Sequence, residues 1–161
     1  MKVHNLKDGD TIQKKQHSLL NRASEASNVL KKHIENNNVI RIISHNDADG
    51  ISAAAVLANA LKEENVQFHT TIVPRLKEDL INQLRHEIHD LVIFSDMGSS
   101  FVGELNSFKC DVIIADHHQV SDVEAESNVV HINPHLFDID GSRVLSGAGS
   151  SYLAVRDLDK K

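Results

Sequence analysis

An α/β fold, built on an open, mostly parallel five-stranded sheet with helices on both faces, is predicted by three features of the sequence. Short apolar runs alternate with helix-length amphipathic stretches. Four of the five runs are almost unbroken in Val, Ile, Leu or Phe, the pattern of parallel strands covered on both sides. The resulting β-α-β-α order fits right-handed crossovers between neighbouring strands.

A leading amphipathic helix is expected over 11–36, where Ile12, Leu19, Ala23, Ala26, Leu30 and Ile34 recur at spacings that put them on one face. Strands are expected at 39–43, 66–72, 91–94, 112–115 and 129–132. The run 66–72 differs from the others: Val66, Phe68, Thr70 and Ile72 alternate with Gln67, His69 and Thr71, which fits a half-exposed strand near a sheet edge. Helices should fill 51–63, 76–89, 99–107 and 149–158. With no internal repeat, low-complexity tract or Pro/Gly-rich linker, residues 1–161 read as one domain with its core at 39–158.

Composition narrows the class. At 161 residues, 40% hydrophobic and 25% charged, the chain can bury one ordinary core. No run approaches the ~18 consecutive apolar residues of a membrane span, and MKVHNLKDGD lacks the apolar centre of a secretory signal, so a cytoplasmic location without a membrane partner is expected. The lone Cys110 excludes an internal disulfide and sits beside an apolar run, where packing accounts for it. A net charge of −6 argues against a broad basic surface for nucleic acid. It leaves room for a phosphate substrate, because bound divalent ions would reverse the sign of an acidic cluster.

Such a cluster is what the strand ends offer. Asp47 and Asp49 follow the first predicted strand, Asp96 the third and Asp116 the fourth. Ligands of open α/β sheets bind outside the carboxyl ends of the strands, so four carboxylates converge on one rim. They would repel one another unless they share protons or bind metal, and the adjacent His45, His117 and His118 favour metal. In Asp47-Ala48-Asp49-Gly50 the Asp-x-Asp spacing turns two carboxylates towards one centre, although the same residues serve equally as a helix N-cap. Asp96 by itself also fits a cap. Asp116-His117-His118 is the sharpest element, offering oxygen and imidazole nitrogen together. Oxygen-rich ligation with one or two imidazoles suits manganese or magnesium better than zinc.

Asp47-Ala48-Asp49-Gly50, the isolated Asp96 and Asp116-His117-His118 resemble, in order and approximate spacing, the first three signature motifs of the DHH phosphoesterases. The form His45-Asn46-Asp47-Ala48-Asp49-Gly50, with Ser146-Gly147-Ala148-Gly149 before the last helix, most resembles the archaeal-type RecJ-like branch of single-strand-specific exonucleases. The resemblance covers residues 39–158. It implies that Asp47, Asp49, Asp96 and His117 are ligands of a two-ion centre, usually of Mn2+ with Mg2+ as the alternative, and that Asp96 bridges the ions. Asp116 would be a catalytic residue that completes or orients the cluster, and His118 would face the substrate phosphate. Pyrophosphatase and oligoribonuclease members of the family carry a ligand histidine four residues before the first Asp, where this chain has Ile43, so His45 is a candidate ligand or neighbouring group. The loop His131-Ile132-Asn133-Pro134-His135 reaches the same rim; His131, Asn133 and His135 are candidate substrate contacts, although strand-end histidines also serve as structure.

The implied reaction is phosphodiester hydrolysis of single-stranded DNA or RNA by a water that two metal ions activate. Two other readings stand beside it. One is a small-molecule phosphoesterase for pyrophosphate, short oligonucleotides or a cyclic dinucleotide. The other is a non-catalytic RecJ-like subunit of a replication complex, with a partner such as GINS. Family members carry a fourth acidic motif and a C-terminal substrate-binding domain. Neither is expected within 1–161, since the late acids Asp138, Asp140, Asp157 and Asp159 lack an apolar-strand context. Only 4% of residues are aromatic and none is Trp, so no base-stacking platform is visible either.

Overall fold

Helical periodicity at the start of the chain becomes helix α1 (Leu6–Glu35) in the computed structural model, which describes the backbone of residues 6–158 and the side chains of residues 11–158. Leu19, Ala23, Ala26 and Leu30 are buried as the spacing predicts, but Ile12 is 56% exposed. A helix stripe is buried only where another element lies against it, and the buried stretch of α1 begins at Leu19. The remaining order is β1 (Ile40–His45), α2 (Ala48–Glu63), β2 (Phe68–Val73), α3 (Glu78–His86), β3 (Leu91–Ser95), α4 (Val102–Asn106), β4 (Asp111–Ala115), β5 (Val129–Ile132), a 3-10 turn (Pro134–Phe137), α5 (Gly141–Val144) and α6 (Gly147–Val155).

All five predicted strands form, and they make one sheet in the order β2-β1-β3-β4-β5 in which every pair is parallel. β2 is an edge, as its alternating pattern indicates. Ile72 departs from that pattern at 43% exposed, although Val73 beyond it packs against the core. The predicted helix 76–89 is shorter than expected, and Ile88 beyond it is fully exposed. The 3-10 turn and α5 span four residues each, too short to leave a periodic signal. Among the described residues no helix is long and apolar enough to cross a membrane.

Strand alternation sorts the core into two layers. Ile40, Ile42, Leu91, Ile93, Ile113 and Ile132 pack with α1, α2 and α6 on one face. Ile43, Val92, Phe94, Val112 and Ile114 pack with α3 and α4 on the other, where Phe94 meets Phe108 edge to face at 6.2 Å. Each large apolar side chain buried this way contributes about 1.5–3 kcal/mol. The strand order reverses between β1 and β3. Helix α2, which follows β1, and α4, which follows β3, therefore leave the sheet towards opposite faces and open a crevice at the carboxyl ends of these two strands.

Candidate metal centre

The crevice is lined by the residues at which β1, β3 and β4 end. Asp47 caps α2, its Oδ1 accepting from the Gly50 amide at 2.9 Å. Its other oxygen, Oδ2, faces His45 Nδ1 at 2.9 Å. The bond from the Gly50 amide holds the Asp47 carboxyl below its ordinary range. Gly50 has no alternative here, because a Cβ would overlap the backbone carbonyl of His45.

Asp96 leaves β3 in the left-handed region at φ 57°, a conformation that Asp and Asn tolerate best after Gly, with its amide bonded to the Ala115 carbonyl at 2.9 Å. Its carboxylate is buried, and neither oxygen has a hydrogen-bond partner. Burial first, then the nearby Asp49 carboxylate, pushes its pKa up to about 6. Buried carboxylate oxygens are rarely left unsatisfied in this way, and a cation is the usual remedy.

Two histidines approach this carboxylate from opposite sides. His45 Nε2 lies 3.0 Å from the Pro74 carbonyl, and His117 Nδ1 lies 3.2 Å from the Gly141 carbonyl. A carbonyl only accepts, so these two ring nitrogens carry the protons. The opposite nitrogens are then turned inward: His45 Nδ1 stands 3.8 Å from Asp96 Oδ2, and His117 Nε2 stands 3.4 Å from Asp96 Oδ1. A carbonyl behind each imidazole is how metal-binding histidines are commonly oriented. Two groups of donors result, His45, Asp47 and Asp96 on one side and Asp96, His117 and His118 on the other, each with its donor atoms within 4.8 Å of one another. Asp96 belongs to both.

The other predicted site residues surround this pair. Asp49 lies 3.5 Å from His117 Nε2, but its two oxygens also accept the Gly147 and Ala148 amides at 2.7 and 2.9 Å, so it anchors the N-terminus of α6. Asp116 is buried, and its Oδ1 accepts the His117 and His118 amides as well as His118 Nδ1 at 2.7 Å, while Oδ2 accepts the Ser99 amide. Burial would raise this carboxyl, but the bonds from His118 and Ser99 outweigh it and hold it well below the usual range. The same bond to Asp116 lifts His118, against its partial burial, to about 9. His118 keeps a 55% exposed side chain on the crevice side.

His131 and Asn133 lie lower. Both are buried, His131 bonded to Ser99 Oγ at 2.8 Å and Asn133 Nδ2 to Ser99 Oγ and the His118 carbonyl, each at 2.8 Å. Burial drives the His131 imidazole down to about 4. Of the late acids, Asp140 caps α5 and Asp157 accepts from Ser24, while Asp138 pairs with Lys15; Asp159 lies outside the described residues. Sequence reasoning missed Ser99, the Pro74 and Gly141 carbonyls and the contact of Gly147 with Asp96. The only local signal for any of them is the small-residue run Gly147-Ala148-Gly149.

The model of the DHH family, N-terminal domain, matches residues 39–156. The chain belongs to the DHH family. This DHH domain is 38% identical over 124 residues to an uncharacterized protein of Methanocaldococcus jannaschii, an alignment covering 74% of the chain and 29% of that relative. It is 28% identical over 150 residues, 90% of the chain and 26% of the relative, to YorK of Bacillus subtilis strain 168, which bears the name of a prophage-derived single-strand DNA-specific exonuclease. Among solved structures, RecJ from Thermus thermophilus in complex with Mn2+ superposes with a TM-score of 0.68 at 26% identity, covering 83% of this chain and 20% of that one. A second exonuclease RecJ bound to manganese gives 0.68 at 25% identity, covering 83% and 36%. The DHH domain is thus RecJ-like, and it spans less than a third of the curated relatives it matches. Its acidic and histidine donor set suits a divalent ion.

Proposed function

We propose that this DHH domain is the metal-binding core of a phosphodiesterase that hydrolyses single-stranded nucleic acid from an end, with two Mn2+ ions, or Mg2+ in their place, sharing Asp96. The observation that carries this reading is the Asp96 carboxylate itself. Its two oxygens are buried without partners, and each is faced by a histidine nitrogen whose ring is fixed by a backbone carbonyl. His45 and Asp47 would complete one ion position, His117 and Asp49 the other. When bound, the ions supply an acidified water and positive charge for the phosphate oxygens.

The rest is the work of the protein. Asp96 is held in place by its left-handed backbone and the Ala115 carbonyl. Asp116 fixes His118 by its ring and its amide, so that a protonated imidazole stands at the crevice edge and can donate to a phosphate of the substrate. His131 and Asn133 support that arm from beneath, a role their burial favours over contact with substrate. Likeness to YorK and RecJ supports single-stranded DNA as the substrate.

Calorimetric titration of the chain with Mn2+, paired with nucleotide release from end-labelled single-stranded DNA and RNA, tests the proposal. Two ions bound with release from DNA is the expected result. A folded chain that binds no ion would overturn it and leave the non-catalytic subunit reading in its place.

A further inference from the structure

Beneath the crevice floor, Ser99 stands at the crossing of four hydrogen bonds, three of them buried. Its amide donates to Asp116 Oδ2 at 3.1 Å, and its carbonyl accepts the Ser121 amide at 3.2 Å. Its hydroxyl lies 2.8 Å from both Asn133 Nδ2 and His131 Nε2. The direction of these bonds follows from the chemistry of the groups. Asn133 Oδ1 accepts the His135 amide at 2.9 Å, which fixes the amide orientation and leaves Nδ2 to donate. One Nδ2 hydrogen goes to the His118 carbonyl and the other to Ser99 Oγ. The serine hydrogen is then free for His131 Nε2, which accepts it as a neutral imidazole. Ser99 Oγ thus accepts from Asn133 and donates to His131.

The circuit closes on a single segment. Asp116 grips His118 through its ring and amide, and Asn133 grips the same residue through its carbonyl. Ser99, like His118, is bonded to both Asp116 and Asn133, and it sits three residues after Asp96 at the start of the path to α4. We propose that Ser99 is a positioning residue that sets the His118 arm against the Asp96 loop, through Asp116 on one side and Asn133 on the other. The inference rests on the proposed phosphodiesterase reading, and every bond in the circuit runs between atoms of the protein. A buried, fully satisfied network of this kind has one low-energy arrangement, and removing its centre leaves Asn133 and His131 each short of a partner.

The test is proton NMR of the metal-free chain carrying 15N-histidine, with the His118 Nδ1 proton, held at 2.7 Å on Asp116, assigned by its loss in His118→Gln. Ser99→Ala should broaden or abolish that resonance and lower kcat/KM on a labelled single-stranded DNA by about tenfold or more, the scale of one lost buried hydrogen bond, with the Mn2+ stoichiometry unchanged. Ser99→Thr, which keeps the hydroxyl, should restore both. A folded Ser99→Ala chain whose His118 proton and turnover match the parent would overturn the proposal. Should the alanine variant fail to fold, the threonine variant decides, since a folded Ser99→Thr chain without the His118 proton is equally fatal. If the parent chain hydrolyses no DNA, the phosphodiesterase reading fails while the resonance still reports on Ser99.

Discussion

Gly147 rests on the carboxylate of Asp96 with no space for a side chain between them: a Cβ built on Gly147 would overlap Asp96 Oδ1. The first residue of α6 is thereby packed against the carboxylate shared by both donor groups, and its amide is bonded to Asp49. Gly147→Ala should gain up to ~1 kcal/mol of helix propensity and lose more, about 1–3 kcal/mol, to overpacking. Thermal unfolding in chelator should show the net loss, and Mn2+ titration a weakened affinity. A variant that binds Mn2+ as the parent does would mean that Asp96 and α6 move apart freely.

Asp96→Asn should abolish most metal binding and turnover while leaving the fold intact. Asn is as tolerant of φ 57° as Asp, and the buried charge it removes has no hydrogen-bond partner. In chelator the variant should melt higher than the parent, and the rise in melting temperature that Mn2+ gives the parent should disappear. Retained activity with tight Mn2+ binding would sink the shared-ligand role.

The raised Asp96 pKa gives stability and metal binding opposite dependences on pH. Its folded value is near 6, above the ordinary 3.8 of an unfolded Asp, because of burial and then the Asp49 charge. The stability tied to its protonated form is fully present below about 3.8 and is lost as pH rises through about 6. Metal-free protein should therefore lose stability between pH 5 and 7 through this group, by an amount that Asp96→Asn abolishes. Mn2+ affinity should rise over the same interval, as the carboxyl gives up its proton to bind. Melts and titrations at about pH 5, 6 and 7 measure both.

His118 titrates with the opposite consequence on the alkaline side. Its bond to Asp116 raises it from 6.5 to about 9, so its contribution is complete below 6.5 and disappears as pH climbs through about 9. Solvent screens a 55% exposed side chain, which keeps the effect small. His118→Gln should remove this alkaline loss and, under the proposed reaction, raise KM for single-stranded DNA, because the positive charge at the crevice edge is gone.

Asp49→Ala should destabilise the metal-free chain by about 1–2 kcal/mol, since the Gly147 and Ala148 amides lose their acceptor and the α6 N-terminus loses its counter-charge. Unfolding in chelator checks it. A ligand-only role for Asp49 predicts no change under those conditions.

Local pattern was enough to bring the candidate ligands to one rim. Short apolar runs, broken at Asp47, Asp96 and Asp116, determined a parallel sheet with carboxylates at one rim, because strand formation and the polarity of strand ends are set by neighbours in the sequence. The edge position of β2 was legible from its alternation for the same reason. Only the tertiary structure decided how those residues are used. That Asp96 stands between two histidines, that the Pro74 and Gly141 carbonyls set their tautomers, and that Asp49 holds an amide 98 residues away depend on strand register and on how α6 settles against the sheet. His131 and Asn133 looked like rim residues because they end β5, yet they face inward to Ser99. Whether a strand-end side chain points to solvent or to the core is settled by what packs over it, and the covering segments are distant in sequence.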